Sequence, residues 1–184
     1  MLKILVAFFS QTGNTEKVAR AIFEEVSSKE HNAQLKKVNE ITPDILDEYD
    51  LVFLGTATHD ADLAQPVKNL LQGISPSPGF KLAGFATHSA PTPEGGGKDE
   101  EYYQTWASKC PASFNEVSQE KQIDFLGYFS CMGAPSPPIG EFIHNTIITD
   151  EDEWEEYMKE VGERPDEEDL QKAREFAWQV LGKC

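Results

Sequence analysis

Short apolar runs alternate along this chain with longer stretches in which apolar residues recur at helical spacing. The first run, Lys3 to Phe9, is apolar at nearly every position, which is typical of a strand buried on both faces of a parallel sheet. From Asn14 to about Ser28, apolar side chains repeat every three or four residues, which predicts a helix. These side chains belong to Val18, Ala19, Ile22 and Val26. The chain therefore opens with a strand followed directly by a helix.

The same alternation continues to the end of the chain and predicts five strands with helices between them. The predicted strands are Lys3 to Phe9, Gln34 to Val38, Asp50 to Thr56, Lys81 to Thr87 and Gln122 to Cys131. Later helices are expected from Pro66, from about Asp99 to Gln119, and from Pro165 to Leu181 after the N-cap Asp166. Two stretches are predicted to be loops, one with Pro91, Pro93 and Gly95 to Gly97, the other Ala134 to Pro138.

Strands that alternate with helices indicate an α/β protein with a parallel sheet. We expect a doubly wound three-layer α/β/α sandwich, in which a five-stranded parallel sheet lies between two helical layers. No internal repeat or long linker divides the chain, so residues 1–184 are interpreted as a single domain.

Charge narrows the range of partners. The 184 residues include 32 Asp and Glu against 16 Lys and Arg, a net charge of −16. Such a chain repels the phosphates of nucleic acids and anionic membrane surfaces, whereas it attracts cationic proteins. No run of 18 apolar residues is present, so no membrane span is expected.

The cysteines and histidines indicate neither disulfide bonds nor a metal site. Three cysteines lie far apart without a C-x-x-C pair, which fits the reducing cytoplasm. The four histidines lack the spacing of metal ligands. We therefore expect no metal and a cytoplasmic protein.

The segment between the first strand and the first helix has the composition of an anion-binding loop. Ser10, Thr12 and Thr15 offer hydroxyl donors, and Gly13 lets the backbone bend closely. The N–H groups and the positive dipole end of the following helix point to the same place. Two interpretations stay open, a phosphate site and a simple helix cap. The position of the loop favours the phosphate site, because parallel α/β sheets bind ligands beyond the carboxyl ends of their strands.

Residues 5–19, with the segment Ser10-Gln11-Thr12-Gly13-Asn14-Thr15, resemble the phosphate-loop signature of the flavodoxin family. The glycine-ended third strand and the helices opening at Pro66 and Pro165 extend this resemblance over essentially the whole chain. It implies a flavodoxin-like strand order of 2-1-3-4-5 and FMN as the cofactor.

The resemblance also implies which residues surround FMN. Its phosphate is expected on the first loop, formed by Ser10, Gln11, Thr12, Gly13, Asn14 and Thr15. Its isoalloxazine ring is expected between two later loops, formed by Thr56, Ala57, Thr58, His59 and Asp60 and by Thr87, His88, Ser89 and Ala90. No catalytic residue is assigned.

Those two ring loops contain no Trp or Tyr, the residues that usually stack on the ring in well-known flavodoxins. The candidate substitutes are His59, Tyr102, Tyr103 and Trp106, although the last three are also explained by helix packing. Asp60 and Asp62 oppose negative charge on a reduced ring, which predicts a low redox potential unless solvent screens them.

Residues 150–169 hold twelve acids against Lys159 and Arg164, a net charge of −10. This strip is interpreted either as a docking surface for basic redox proteins or as a solvated face.

The favoured function is low-potential electron transfer by FMN between partner proteins, a reductase and an electron acceptor. The alternative is an NAD(P)H-dependent FMN or quinone reductase with an open flavin face. A phosphoacceptor receiver domain is disfavoured, because the acids that it needs after strands one and three are replaced by Ser10-Gln11-Thr12 and Gly55-Thr56. A flavin-free relative also stays open, and no oligomeric state is predicted.

Overall fold

The computed structural model describes residues 1–91 and 96–184. Pro93 and Gly95 of the first predicted loop lie outside the described residues. The strands are β1 (Lys3–Phe8), β2 (Asn32–Lys37), β3 (Leu51–His59), β4 (Asp62–Leu63), β5 (Lys81–His88) and β6 (Asp124–Met132). The helices are α1 (Asn14–Ser28), α2 (Gln65–Gln72), α3 (Lys98–Trp106), α4 (Lys109–Lys121), α5 (Pro137–Thr146), α6 (Glu151–Val161) and α7 (Glu167–Leu181). Two 3₁₀ helices, Val38–Glu40 and Pro43–Glu48, connect β2 to β3.

The sheet has the strand order β2-β1-β3-β5-β6, and all four pairings along it are parallel. The additional two-residue strand β4 pairs antiparallel with the end of β3. Apart from this short strand, the order is the predicted 2-1-3-4-5 arrangement. The predicted flavodoxin-like α/β fold is therefore confirmed.

Two apolar cores lie on opposite faces of the sheet, because alternate side chains of a strand point to opposite faces. On β1, Ile4 and Val6 belong to the core that includes α1 and α7. Leu5 and Ala7 belong to the other core, which includes α2 and α4. The central strands are buried on both faces, so their side chains are nearly all apolar.

The chain between β6 and α7 differs from the prediction. The segment Ala134 to Pro138 was expected to be a loop, but α5 begins at Pro137. Proline is compatible with the first turn of a helix, because the N–H groups of that turn have no acceptor within the helix and the N–H that proline lacks is therefore not needed. The helix α6, which carries much of the acidic strip, was not predicted at all. The predicted helix from Asp99 to Gln119 is divided into α3 and α4.

Candidate functional site

The loop from Ser10 to Gly13 leads from β1 into α1 at the carboxyl edge of the sheet. Gly13 has φ of +93° and is the N-cap of α1, yet no side chain caps the helix. The Gly13 N–H itself donates to Ser10 Oγ at 3.1 Å, which closes the loop on itself. Because no side chain occupies the first N–H groups of α1, this helix end is able to receive an anion.

Two of the expected phosphate ligands have side chains that make other contacts. Asn14 Nδ2 donates to the carbonyl oxygen of Ala134 at 2.8 Å, and the Thr15 and Thr87 hydroxyl oxygens lie 2.9 Å apart in the buried interior. A Cβ on Gly133 would lie 2.8 Å from Asn14 Nδ2, so this close approach requires glycine. The side chains of Asn14 and Thr15 are therefore engaged by protein atoms, and only their backbone N–H groups remain available to a ligand.

The loop after β3 is a tight hairpin. Its two central residues, Asp60 and Ala61, have φ of +51° and +65°. His59 pairs with Asp62 across the turn, so this is a two-residue turn of the type that normally favours Asn-Gly. The hydroxyl of Thr56 accepts from the N–H of Ala64 at 3.0 Å and is fully buried, which ties the hairpin back to β3.

The last residue of β5 is a buried histidine. His88 is 5% exposed, and its Nδ1 lies 2.8 Å from the carbonyl oxygen of Ala90. Burial lowers the pKa of His88 to about 4, although the Ala90 hydrogen bond works in the opposite direction. Its Nε2 is buried and has no hydrogen-bond partner among the described residues.

These loops surround one cavity of about 670 Å³, a size typical of small-molecule sites. The sequence-predicted residues that line it are Gln11, Thr12, Ala57, Thr58, His59, Asp60, Thr87, His88, Ser89 and Ala90. Ser10, Gly13, Asn14, Thr15 and Thr56 are not among the lining residues, although they shape the loops that are. We call Gln11 and Thr12, both exposed, the polar wall.

The structure adds an apolar wall, of which the sequence indicated only Trp106. It is formed by Trp106, Ile139, Phe142, Ile143, Ile147 and Ile148. Trp106 was a candidate stacking residue, and here its ring meets Phe142 edge to face with centroids 6.0 Å apart. Both rings are about two-fifths exposed, at 40% and 43%. Tyr102 also lines the cavity, whereas Tyr103 packs edge to face on His88.

Long-range hydrogen bonds hold the segment after β6 against the two loops. Ser89 Oγ donates to the carbonyl oxygen of Gly133 at 3.0 Å, and the Gly133 N–H donates to the carbonyl oxygen of His88 at 2.8 Å. The hydroxyl of Tyr157 on α6 donates to the carbonyl oxygen of Ser89 at 2.7 Å. Ile139, Ile143 and Ile147 recur at every fourth position and were a possible signal for α5, but Pro137 and Pro138 at its start concealed the helix.

No Lys or Arg is found among the lining residues of the cavity in the described ranges 1–91 and 96–184. Asp60 lines it, but Asp62 does not. Partial burial works to raise the pKa of Asp62, yet hydrogen bonds from Lys68 Nζ (2.7 Å), Ser113 Oγ (2.6 Å) and the Leu63 N–H hold it below its ordinary value. Of the two aspartates expected near the ring, Asp60 is therefore the one placed to act on a ligand.

The acidic strip is distributed over α6, the following turn and the start of α7. Asp150 caps α6 by accepting from the N–H groups of Asp152 and Glu153. Arg164 lies 2.9 Å from Asp169 Oδ2, and Lys98 lies 3.0 Å from Glu153. Glu155 and Glu156 are exposed, and neither forms an ion pair within the described part of the chain. The strip is thus partly neutralised and partly open to a partner.

Residues 1–91 and 96–184 contain no group of three or more His, Cys, Asp and Glu residues arranged to hold a metal ion. Within the same residues, no helix has both the length and the apolar character required to cross a bilayer.

Comparison with known proteins bears on this site. The flavodoxin domain family matches residues 5–178. An uncharacterized protein of Methanocaldococcus jannaschii is 24% identical over 168 residues, which cover 91% of this chain and 90% of that protein. The flavodoxin-like domain-containing protein BilS of Clostridioides difficile is 31% identical over 134 residues, which cover 72% of this chain and 66% of BilS.

The fold has a counterpart among solved structures. Oxidised Flavodoxin 2 from Bacillus cereus superposes with a TM-score of 0.66 at 22% identity, covering 99% of each chain. Together, the family match over nearly the whole chain, the strand order and the cavity beside the first loop show that this chain belongs to the flavodoxin family.

Proposed function

We propose that this chain binds FMN in the cavity and carries electrons at low potential between redox partner proteins. The observation that carries the proposal is the convergence on one cavity of about 670 Å³ of three segments: the ends of β3 and β5 with the loops that follow them, and Gln11 and Thr12, which directly precede the uncapped end of α1. FMN, when bound, supplies the one- and two-electron chemistry of its isoalloxazine ring. The residues fit this group, because no side chain caps the first turn of α1, and its N–H groups remain available as donors for a phosphate.

Charge favours a carrier over direct reduction by NADPH. NADPH carries several negative charges, and the described lining of the cavity offers no Lys or Arg to bind them. The net charge of −16 further opposes its approach. A basic protein, in contrast, is attracted by the same field and encounters this chain faster. The three free cysteines fit the reducing cytoplasm as the compartment.

A titration with FMN, followed anaerobically by NADPH in the same cuvette, tests the proposal. We expect FMN binding to perturb the visible spectrum, and we expect NADPH alone to leave the flavin oxidised until a separate reductase is added. An unperturbed spectrum would contradict FMN binding. Bleaching by NADPH alone would contradict the carrier function.

One observation favours a second function, the NAD(P)H-dependent FMN or quinone reductase. The apolar wall gives the cavity a surface suited to a flat apolar substrate beside the flavin. This function requires bleaching by NAD(P)H without a partner protein and saturable reoxidation by a quinone such as menadione.

The proposed low potential rests on Asp60. A carboxylate that lines the cavity opposes added negative charge on the ring, whereas the Asp62 carboxylate is paired with Lys68. Asp60→Asn is therefore expected to raise the midpoint of the second electron more than the matched control Asp62→Asn. Equal or absent shifts in the two variants would show that the Asp60 carboxylate does not lower the potential.

The proposed basic partner is tested with horse heart cytochrome c, a basic electron acceptor. The double variant Glu155→Lys/Glu156→Lys reverses two exposed charges on α6. The control is Glu116→Lys, which reverses one exposed charge on α4. We expect electron transfer from the reduced FMN-loaded protein to slow most in the α6 variant and to slow further with salt. Equal rates in both variants would indicate that α6 is only a solvated face.

A further inference from the structure

The chain leaves the sheet after β6 and returns towards α7 through a narrow neck. The N–H of Ala134 donates to the carbonyl oxygen of Arg164 at 3.0 Å, so the two ends of the intervening segment lie side by side. We call residues 134–164, which include α5 and α6, the insert. Along the backbone, the insert is therefore attached to the rest of the chain at a single place.

The insert has an apolar core of its own. The buried members of this core are Met132 at the end of β6 and, within the insert, Ile143, Ile148, Tyr157 and Val161. In the described ranges 1–91 and 96–184, neither of the two cores on the faces of the sheet includes a residue of the insert. The insert is thus packed as a separate body, and such bodies open locally without unfolding of the whole protein.

One side of the insert faces the cavity. Its contribution to the apolar wall consists of Ile139, Phe142, Ile143, Ile147 and Ile148. None of these side chains carries a polar atom, so this side suits the flat isoalloxazine ring and not the charged phosphate. The insert therefore forms the part of the cavity wall that is suited to the ring of the proposed FMN.

Away from the neck, a hydrogen bond from α6 fastens the insert to the loop after β5. The Tyr157 hydroxyl donates to the carbonyl oxygen of Ser89 at 2.7 Å, and Ser89 itself lines the cavity. Burial raises the pKa of Tyr157 well above its ordinary value, so the hydroxyl stays protonated and remains a donor near pH 7. The ion pair between Lys98 on α3 and Glu153 on α6 is exposed and contributes little. Tyr157 therefore makes the main polar connection on this side.

We propose that the insert is a lid, which opens about the neck when the hydrogen bond between Tyr157 and Ser89 breaks and so admits and releases the flavin. Three observations carry the proposal: the single place of attachment, the separate core and the position of α5 in the cavity wall. The lid rests on the proposed FMN binding and adds how this cofactor enters and leaves. An opening that precedes both binding and release changes both rates by the same factor and leaves the Kd nearly unchanged.

Tyr157→Phe removes this hydrogen bond but keeps an aromatic ring in the core of the insert. Stopped-flow quenching of FMN fluorescence at several FMN concentrations measures the association and dissociation rate constants. We expect both constants to rise about twofold to tenfold, because the net contribution of one hydrogen bond determines how often the lid is open. Riboflavin should show the same rise, since the insert faces the ring and not the phosphate.

Tyr49→Phe is the matched control. The Tyr49 hydroxyl donates to Gln34 Oε1 at 2.8 Å just before β3, at the amino edge of the sheet and away from the cavity. This variant also loses one tyrosine hydrogen bond, and we expect both rate constants to stay unchanged. Amide hydrogen exchange of the FMN-free protein is a second measurement. In Tyr157→Phe, the amides of α5 and α6 should exchange faster, whereas those of β1 and β3 should not.

The outcomes distinguish the lid from the proposed function. If the natural chain binds neither FMN nor riboflavin, the proposed function fails, and the role of the lid in flavin exchange fails with it. If FMN binds but Tyr157→Phe raises only the dissociation rate, or changes neither rate, the insert is a fixed wall and only the lid is overturned. Equal rate changes in Tyr49→Phe, or faster hydrogen exchange throughout the sheet, would also overturn it, because the whole protein would then be destabilised.

Discussion

The polar wall and the apolar wall of the cavity are built in different ways. The polar wall, Gln11 and Thr12, belongs to one short loop between consecutive elements. The apolar wall combines Trp106 of α3 with residues 139–148 and is held in place by hydrogen bonds between distant segments, such as Ser89 to Gly133 and Tyr157 to Ser89. The polar wall therefore has a local sequence signal, whereas the apolar wall exists only once the chain is folded.

The two walls also suit two different parts of the proposed ligand. A phosphate suits N–H groups at a helix end, and a flat ring suits apolar side chains. Substitutions in the polar wall should accordingly discriminate FMN from riboflavin, which lacks the phosphate. Substitutions in the apolar wall should affect both molecules alike.

The largest effect is expected in the polar wall. Thr12→Glu places a carboxylate beside the proposed phosphate, and two unit charges 4 Å apart repel by about 4 kcal/mol at an effective dielectric constant of 20. FMN affinity should fall about a thousandfold, measured by fluorescence titration, with little change for riboflavin. The neutral control Thr12→Gln separates charge from bulk. An equal loss for riboflavin would place the phosphate elsewhere.

The next effect concerns His88. This residue lines the cavity and lies between the two walls along the chain. Its folded pKa of about 4 lies below the ordinary 6.5, so the unfolded chain takes up a proton first as the pH falls. His88 therefore contributes stability above pH 6.5 that is lost between pH 6.5 and about 4, by about 3 kcal/mol in total.

Urea unfolding of the FMN-free protein at several pH values measures this loss. The natural chain should lose about 3 kcal/mol more than His88→Asn between pH 7 and pH 4. The comparison removes the contribution of carboxylates such as Asp62, which titrate in both proteins. Parallel pH profiles would show that His88 titrates normally.

A smaller effect is expected in the apolar wall. Phe142→Ser removes one ring of the edge-to-face pair with Trp106, and aromatic contacts contribute about 0.5–1.5 kcal/mol. FMN and riboflavin should both bind about fivefold more weakly. Trp178→Ser, which changes a ring 63% exposed on α7, is the control. Unchanged flavin affinity in Phe142→Ser would instead assign this wall to a second substrate.

The smallest effect is expected at the hairpin after β3. Ala61 has φ of +65°, a conformation that disfavours alanine by about 1–2 kcal/mol. Because glycine also loses more entropy on folding, Ala61→Gly should stabilise the protein by about 0.5 kcal/mol in urea unfolding. Ala57→Gly, on β3 itself, should destabilise it by a similar amount. Destabilisation by Ala61→Gly would mean that its methyl group is needed for packing.

Much of the fold was predictable, because its signals are local. Buried parallel strands are apolar at nearly every position, and α7 follows its capping residue Asp166 as expected. Strand order followed only from the family resemblance, since periodicity does not determine which strands pair. The segment 133–165 was poorly predicted, because Pro137 and Pro138 conceal a helix start and the acids of α6 outnumber its apolar residues.

The candidate site divides in the same way. The sequence by itself determined the family, the class of the fold and the loop between β1 and α1, because these depend on adjacent residues and on short-range backbone preferences. Only the tertiary structure decided that Asn14 and Thr15 bind protein atoms, that Asp62 is neutralised by Lys68, and that α5 forms a cavity wall. The physical reason is that hydrogen-bond partners, burial and charge pairing depend on which distant residues meet, and no local pattern records that.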